Sequence, residues 1–251
     1  MRRLVPQPLD AGGVEAAYAD LAGRRADGRP YVVVNMVASV DGAFAVEGRT
    51  EGLSTAADRS VFHHLRSLAD VILVGAQTVR AEHYGPPRLS DERREERRAR
   101  GQEPLPRIAV VSARLNLDWS SRLFADPPVR PLVIAPTDAD EGRLAEAEQV
   151  ADVVRAGGTS VDLDSALGEL HRRGADVVLC EGGPTLNGQL AALDLIDVLC
   201  LTVSASLVGG DAGTGLLGHT SVPAPLAMTL EQVLEDDVEG DLFLRYRRSR
   251  P

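Results

Sequence analysis

Lysine is absent from this chain: all 27 basic residues among its 251 are arginine. That absence removes the phosphate-loop lysine, the Schiff-base lysine and any lysine general base from consideration. Aromatic residues make up only 4%, with a single tryptophan. Cysteine occurs twice, at Cys180 and Cys200, both inside apolar runs, which suits buried cytosolic thiols rather than a disulfide or a metal cluster. No apolar run approaches the roughly 18 residues of a membrane span. The start, Met1 to Pro6, has no apolar leader core, so a cytoplasmic protein is expected. Positive charge is in deficit: the formal net charge of -10 argues against a nucleic-acid footprint.

What remains is an ordinary globular balance, 44% hydrophobic and 25% charged, in a chain long enough to bury a core without staples. Residues 12–23 read as a short helix ending at a glycine, within an N-terminal extension over 1–29. A single domain over 30–251 follows. It opens with the β-branched run YVVVNMVASVDG, which stops at the turn dipeptide Asp41-Gly42. Residues 55–69 form an amphipathic helix with Val61, Leu65 and Leu68 on one face, Thr55 as N-cap and Asp58 at capping-box spacing. Asp58 is therefore assigned to the cap.

Buried strands follow at 71–74, 108–112, 131–135, 177–181 and 198–209, with a weaker one at 150–154 and helices at 141–149, 162–173 and 184–195. Alternation of this kind predicts a three-layer α/β fold: a mostly parallel central sheet with helices on both faces. MTLEQVLED and DLFLRYRR around Val238-Glu239-Gly240 add an antiparallel hairpin at one edge. The charged, proline-bounded segment 85–106 is expected to be an exposed loop holding a solvated and mobile helix.

Two segments share one design. In VILVGAQT (71–78) and VVLCEGGPT (177–185) a buried strand runs straight into glycine and a helix start, a place where free N–H groups bind phosphate. There is no G-x-G-x-x-G after a strand, no H-E-x-x-H, and no ligand spacing among the five histidines, so no metal is expected. Of those histidines only His83, just after the Gly75 turn, is placed near a site.

The strings NMVASVDGAFAVEGRTEGLST, DRSVFHHLRSLADVILVGAQTVRAEHYGP and EGGPTLNGQLAALDLIDVLCLTVSASLVGG, spread over residues 30–247, resemble the reductase domain of bacterial riboflavin biosynthesis. That resemblance implies a dihydrofolate-reductase-like fold, a homodimer, NADPH as cofactor, and reduction of 5-amino-6-(5-phosphoribosylamino)uracil by hydride transfer to the ribosyl C1′.

Carried onto this chain, it places Ala38, Ser39 and Asp41 in an S-x-D-G motif bordering nicotinamide and substrate. Thr50 and Gly52 fall in a segment lying across cofactor and substrate phosphate. Arg66 would bind the ribose phosphate and Glu181 the substrate. Gly75 and Thr78 would contact the cofactor, and Gly182, Gly183, Pro184, Thr185 and Leu186 would form its pyrophosphate turn. Ser112 and Arg114 would hold the 2′-phosphate. Glu82 stands where the family commonly has aspartate; Asp41 and Glu82 are the expected catalytic carboxylates. Asn35 stands where the family often has lysine. The H-x-E and P-C-x-x-C signatures of the deaminase half are missing, so a stand-alone reductase domain is expected.

Two other functions fit the same residues: reduction of dihydrofolate or another small heterocycle, and a non-catalytic NADPH-binding regulatory module. The apolar run VLCLTVSASLV followed by a hairpin edge separately favours a homodimer.

Overall fold

The structure is a computed structural model and describes residues 13–46, 48–209 and 215–250. The leader reading of Met1 to Pro6 lies outside the described residues. A short helix, α1 (Gly13–Tyr18), and a 3₁₀ turn lead to β1 (Arg25–Ala26) and the long β2 (Arg29–Ser39). Then follow α2 (Ala56–Leu68), β3 (Val71–Gly75), α3 (Ala76–Ala81), α4 (Asp91–Ala99) and β4 (Arg107–Val111). The middle holds α5 (Arg122–Ala125), β5 (Leu132–Ala135), α6 (Glu141–Val150), β6 (Asp152–Arg155), α7 (Leu163–Arg172) and β7 (Val177–Cys180). The chain continues through α8 (Pro184–Ala192) and β8 (Val198–Ser204) to the hairpin strands β9 (Met228–Glu235) and β10 (Leu242–Arg248).

The strand order is β6-β5-β4-β3-β7-β2-β8-β10-β9, with β1 pairing β2. From β6 to β8 every pair is parallel; β8–β10 and β10–β9 are antiparallel. This is the mostly parallel sheet with an antiparallel edge hairpin that the alternation predicts. Strand parity sorts the core: Val32, Val34, Leu73 and Leu132 face α7 and α8, whereas Val33, Leu179, Ile72 and Val133 face the opposite helical layer. Strands covered on both faces must be apolar throughout, which is why they read as runs rather than alternations.

Tyr18 and Leu21, from the N-terminal segment, are buried in the same cluster as Val61 and Leu65 of α2. Both cysteines are free and buried, and burial pushes each thiol up to about 12. Among the described residues no helix is long and apolar enough to cross a membrane.

Segment 85–106 departs from its expected character. α4 carries the charge pattern of a solvated helix, yet Arg97 is only 1% exposed. Its guanidinium donates to the carbonyls of Ser67 (3.0 Å), Ala69 (2.6 Å) and Glu103 (2.8 Å). Arg100 donates to Ser67 O (2.9 Å) and Gln102 to Leu68 O (3.0 Å). The last carbonyls of α2 have no partner within the helix and carry the negative end of its dipole, so cationic donors gather there. Polarity alone cannot distinguish arginines that cap a neighbouring helix from arginines in water.

Candidate active site

Because β3, β7 and β2 are adjacent and parallel, Gly75, Glu181 and Ser39 come to one edge of the sheet, the carboxyl edge where open α/β sheets hold ligands. Gly75 donates its N–H to Gly182 O at 2.9 Å, joining the two glycine turns directly. A side chain is excluded at Gly183: a Cβ there would lie 2.7 Å from Thr78 Oγ1. Gly182 sits at φ +85°, in the left-handed region.

Gly75 and Gly183 are the N-caps of α3 and α8, and neither end has a side-chain cap, nor has the short α5; α2, α4, α6 and α7 are capped by Thr55, Ser90, Asp140 and Asp162. Two uncapped helix starts therefore lie side by side, with Thr185 and Leu186 in the first turn of α8. First-turn N–H groups of this kind suit an anionic diphosphate. The glycine pair, Pro184, Thr78 and Gly75 thus form one wall.

Ser112 is buried just beyond β4, the strand next to β3, and donates its N–H to Ile134 O. Arg114 is exposed, and its guanidinium has no ion pair among the described residues. Its carbonyl accepts from Arg143 at 2.7 Å.

On the other side of Glu181, α2 delivers Arg66. Its Nε and Nη2 lie 2.7 Å from Oε1 and Oε2 of Glu181, a bidentate pair whose side chains are 11% and 4% exposed. Arg66 also donates to Tyr84 Oη at 2.7 Å, Tyr84 donates to Glu181 Oε2, and the guanidinium stacks 4.0 Å from the Phe62 ring centroid. Burial opposes the arginine's charge, but Glu181 and Tyr84 raise its proton affinity further. Both residues were expected to meet substrate separately; the fold turns them on each other.

Asp41 is exposed. Ser39 Oγ donates to its Oδ1 at 2.5 Å, and the N–H groups of Val208 and Gly209 donate at 3.2 and 2.8 Å. These donors, Ser39 first, hold its carboxyl at about 2. Ala38 is buried beside Val203, its partner on β8. Glu82 caps the end of α3 and reaches Thr50, whose N–H and hydroxyl donate to Oε1 at 2.9 and 3.2 Å. Gly52 packs against Val46, where a Cβ would sit 3.0 Å from the valine side chain.

Around Glu82 the structure chooses differently from the sequence reading. His83 is exposed at φ +46°, while Tyr84 enters the site. Tyr84 was missed because an isolated tyrosine between glycine, proline and histidine has no periodicity to betray its direction. Asp58 also differs. The Thr55 hydroxyl caps α2 by accepting from Asp58 N (3.1 Å) and donates onward to Asp241 (2.6 Å). The Asp58 carboxyl turns inward, is 6% exposed and accepts from Ser54 (2.6 Å), and burial raises it above the usual carboxylate range. Asn35 is likewise buried.

Comparison with known proteins identifies the family. Residues 30–239 match the RibD C-terminal domain family. A 2,5-diamino-6-ribosylamino-4(3H)-pyrimidinone 5′-phosphate reductase of Archaeoglobus fulgidus is 36% identical over 72% of this chain and 83% of that protein. Its namesake from Methanothermobacter thermautotrophicus is 32% identical over 87% of this chain and 98% of that protein. Among solved structures, a pyrimidine reductase-like protein from Corynebacterium diphtheriae superposes with a TM-score of 0.81 at 30% identity, covering 88% of this chain and 93% of its own. The chain belongs to the RibD C-terminal domain family.

Proposed function

We propose that this protein is an NADPH-dependent reductase of the phosphorylated ribosylamino-pyrimidine of riboflavin biosynthesis. The observation that carries this reading is the pair of uncapped helix starts at Gly75 and Gly183, set beside the Arg66–Glu181 pair on one sheet edge. The first feature suits a dinucleotide diphosphate; the second suits a polar, hydroxyl-rich substrate. Of the two pyrimidines, the 2,5-diamino-pyrimidinone is favoured over the 5-amino-uracil by the names of the relatives.

When bound, the reduced nicotinamide supplies the hydride. Gly75, Thr78 and Gly182 through Leu186 hold the diphosphate, and Ser112 with Arg114 takes the 2′-phosphate. Glu181 and Arg66 orient the ribosyl chain so that C1′ faces the donor. Asp41 anchors residues 208–209 and Glu82 anchors Thr50, so each carboxylate holds a bordering segment in place. The 2′-phosphate proposal makes NADPH the preferred cofactor over NADH.

The decisive experiment is NADPH oxidation by the purified chain with each pyrimidine, and with dihydrofolate beside them. Turnover of dihydrofolate alone would overturn the reading, and NADPH binding without any oxidation would favour the regulatory alternative. The expected assembly is a homodimer through the partly exposed apolar face of β8 and β10, which carries Leu201, Val203, Leu242 and Leu244. Sedimentation at micromolar concentration checks it. The cytoplasm is the compartment that suits the free, buried thiols.

A further inference from the structure

Tyr84 has no role in the function proposed so far, yet its hydroxyl lies at the centre of the site. Its hydroxyl is held between Arg66 and Glu181, and desolvation there raises its proton affinity well above the ordinary value, so it stays neutral. A neutral hydroxyl has one proton to give. Because it accepts from Arg66 Nη2 at 2.7 Å, that proton is directed to Glu181 Oε2. The chain of donation therefore runs one way, from Arg66 through Tyr84 to Glu181.

The consequence falls on the two carboxylate oxygens. Oε2 accepts from both Arg66 Nη2 and Tyr84, whereas Oε1 accepts only from Arg66 Nε. A carboxylate oxygen accepts at two lone-pair sites, so Oε1 keeps one among the described residues. We propose that Tyr84 is a positioning residue of the reductase site: its hydroxyl holds Glu181 flat against Arg66 and leaves Oε1 as the oxygen that receives a substrate hydroxyl or amine. This rests on the reading of the chain as a pyrimidine reductase.

Tyr84→Phe keeps the ring over Arg66 and removes only the hydroxyl. In steady-state assays of the full chain, kcat/KM for the pyrimidine falls about ten- to a hundredfold, the range for a hydrogen bond to a charged group. NADPH affinity stays within about twofold, since the diphosphate wall is untouched. Because Tyr84 acts through Glu181, the same substitution in a Glu181→Gln background changes kcat/KM by less than about twofold. An equal loss in both backgrounds, or undiminished kcat/KM in the single variant, overturns the proposal.

If the native chain reduces no pyrimidine, the functional reading fails, and a crystal structure of Tyr84→Phe still decides this one. A Glu181 carboxylate rotated off the bidentate pairing supports the positioning role; one left in place overturns it.

Discussion

Arg97 of α4 and Ala69, the residue that ends α2, are joined by a 2.6 Å hydrogen bond from a guanidinium that is 1% exposed. That bond and a second, to Ser67, let a buried arginine close the C-terminal end of the helix that carries Arg66, while a third ties it to Glu103. Arg97→Met keeps much of the volume and removes the guanidinium donor from the carbonyls of Ala69 and Glu103, while Ser67 O keeps its bond from Arg100. It is expected to destabilise the protein by about 2–4 kcal/mol in urea unfolding, the scale of lost hydrogen bonds to a charged group. Arg97→Lys should recover only part of this, because a point charge cannot reproduce the planar fork.

Arg66 and Glu181 are expected to resist separation for a different reason. Truncating one member of a buried pair strands the other, at a cost of about 3–5 kcal/mol. Arg66→Ala should therefore lower stability by about that amount and abolish pyrimidine turnover. Glu181→Gln, which keeps the shape and loses the charge, should lower the melting temperature as well as turnover. Thermal unfolding and activity per folded molecule, measured on the same samples, separate the two effects.

Asp41 presents the opposite case. It is exposed, and its partners are Ser39 and the backbone of Val208 and Gly209. Asp41→Asn is expected to reduce turnover strongly while shifting the melting temperature little. Its carboxyl, held at about 2 by those donors, is charged throughout the pH range of an activity assay. A melting temperature that drops at neutral pH with activity retained would show a structural role only.

Arg114 is expected to set cofactor preference. Arg114→Ala should weaken NADPH binding by about 1.5–3 kcal/mol and leave NADH binding unchanged. Equal native affinity for the two cofactors, by fluorescence titration, would contradict this.

His64 gives a pH signature. It is buried, Arg93 Nη1 lies 2.7 Å from its Nδ1, and its Nε2 has no partner among the described residues. Burial, and then Arg93, lower it to about 4. The unfolded chain thus binds a proton near pH 6.5 that the native ring refuses, so stability declines as pH falls from 6.5 to 4. The loss from this group is at most about 3 kcal/mol. His64→Gln should flatten that part of the curve, measured by chemical unfolding at each pH.

The sequence by itself determined the layered fold and the sheet edge that carries the candidate site. Strand runs such as VVV (32–34) and VILV (71–74) are apolar at every position because both their faces are covered, and that local pattern is legible without neighbours. The glycines after β3 and β7 were legible for a similar reason: strand, glycine and helix start are consecutive along the chain. Tertiary structure decided which side chains meet. Arg66 and Glu181 are 115 positions apart, and their pairing depends on β7 inserting between β3 and β2. The place of Arg97 was equally hidden, since a charged helix looks the same whether its arginines meet water or the carbonyls of another helix. Local composition records what a residue can do, whereas partners distant in sequence are chosen only by the order in which the strands assemble.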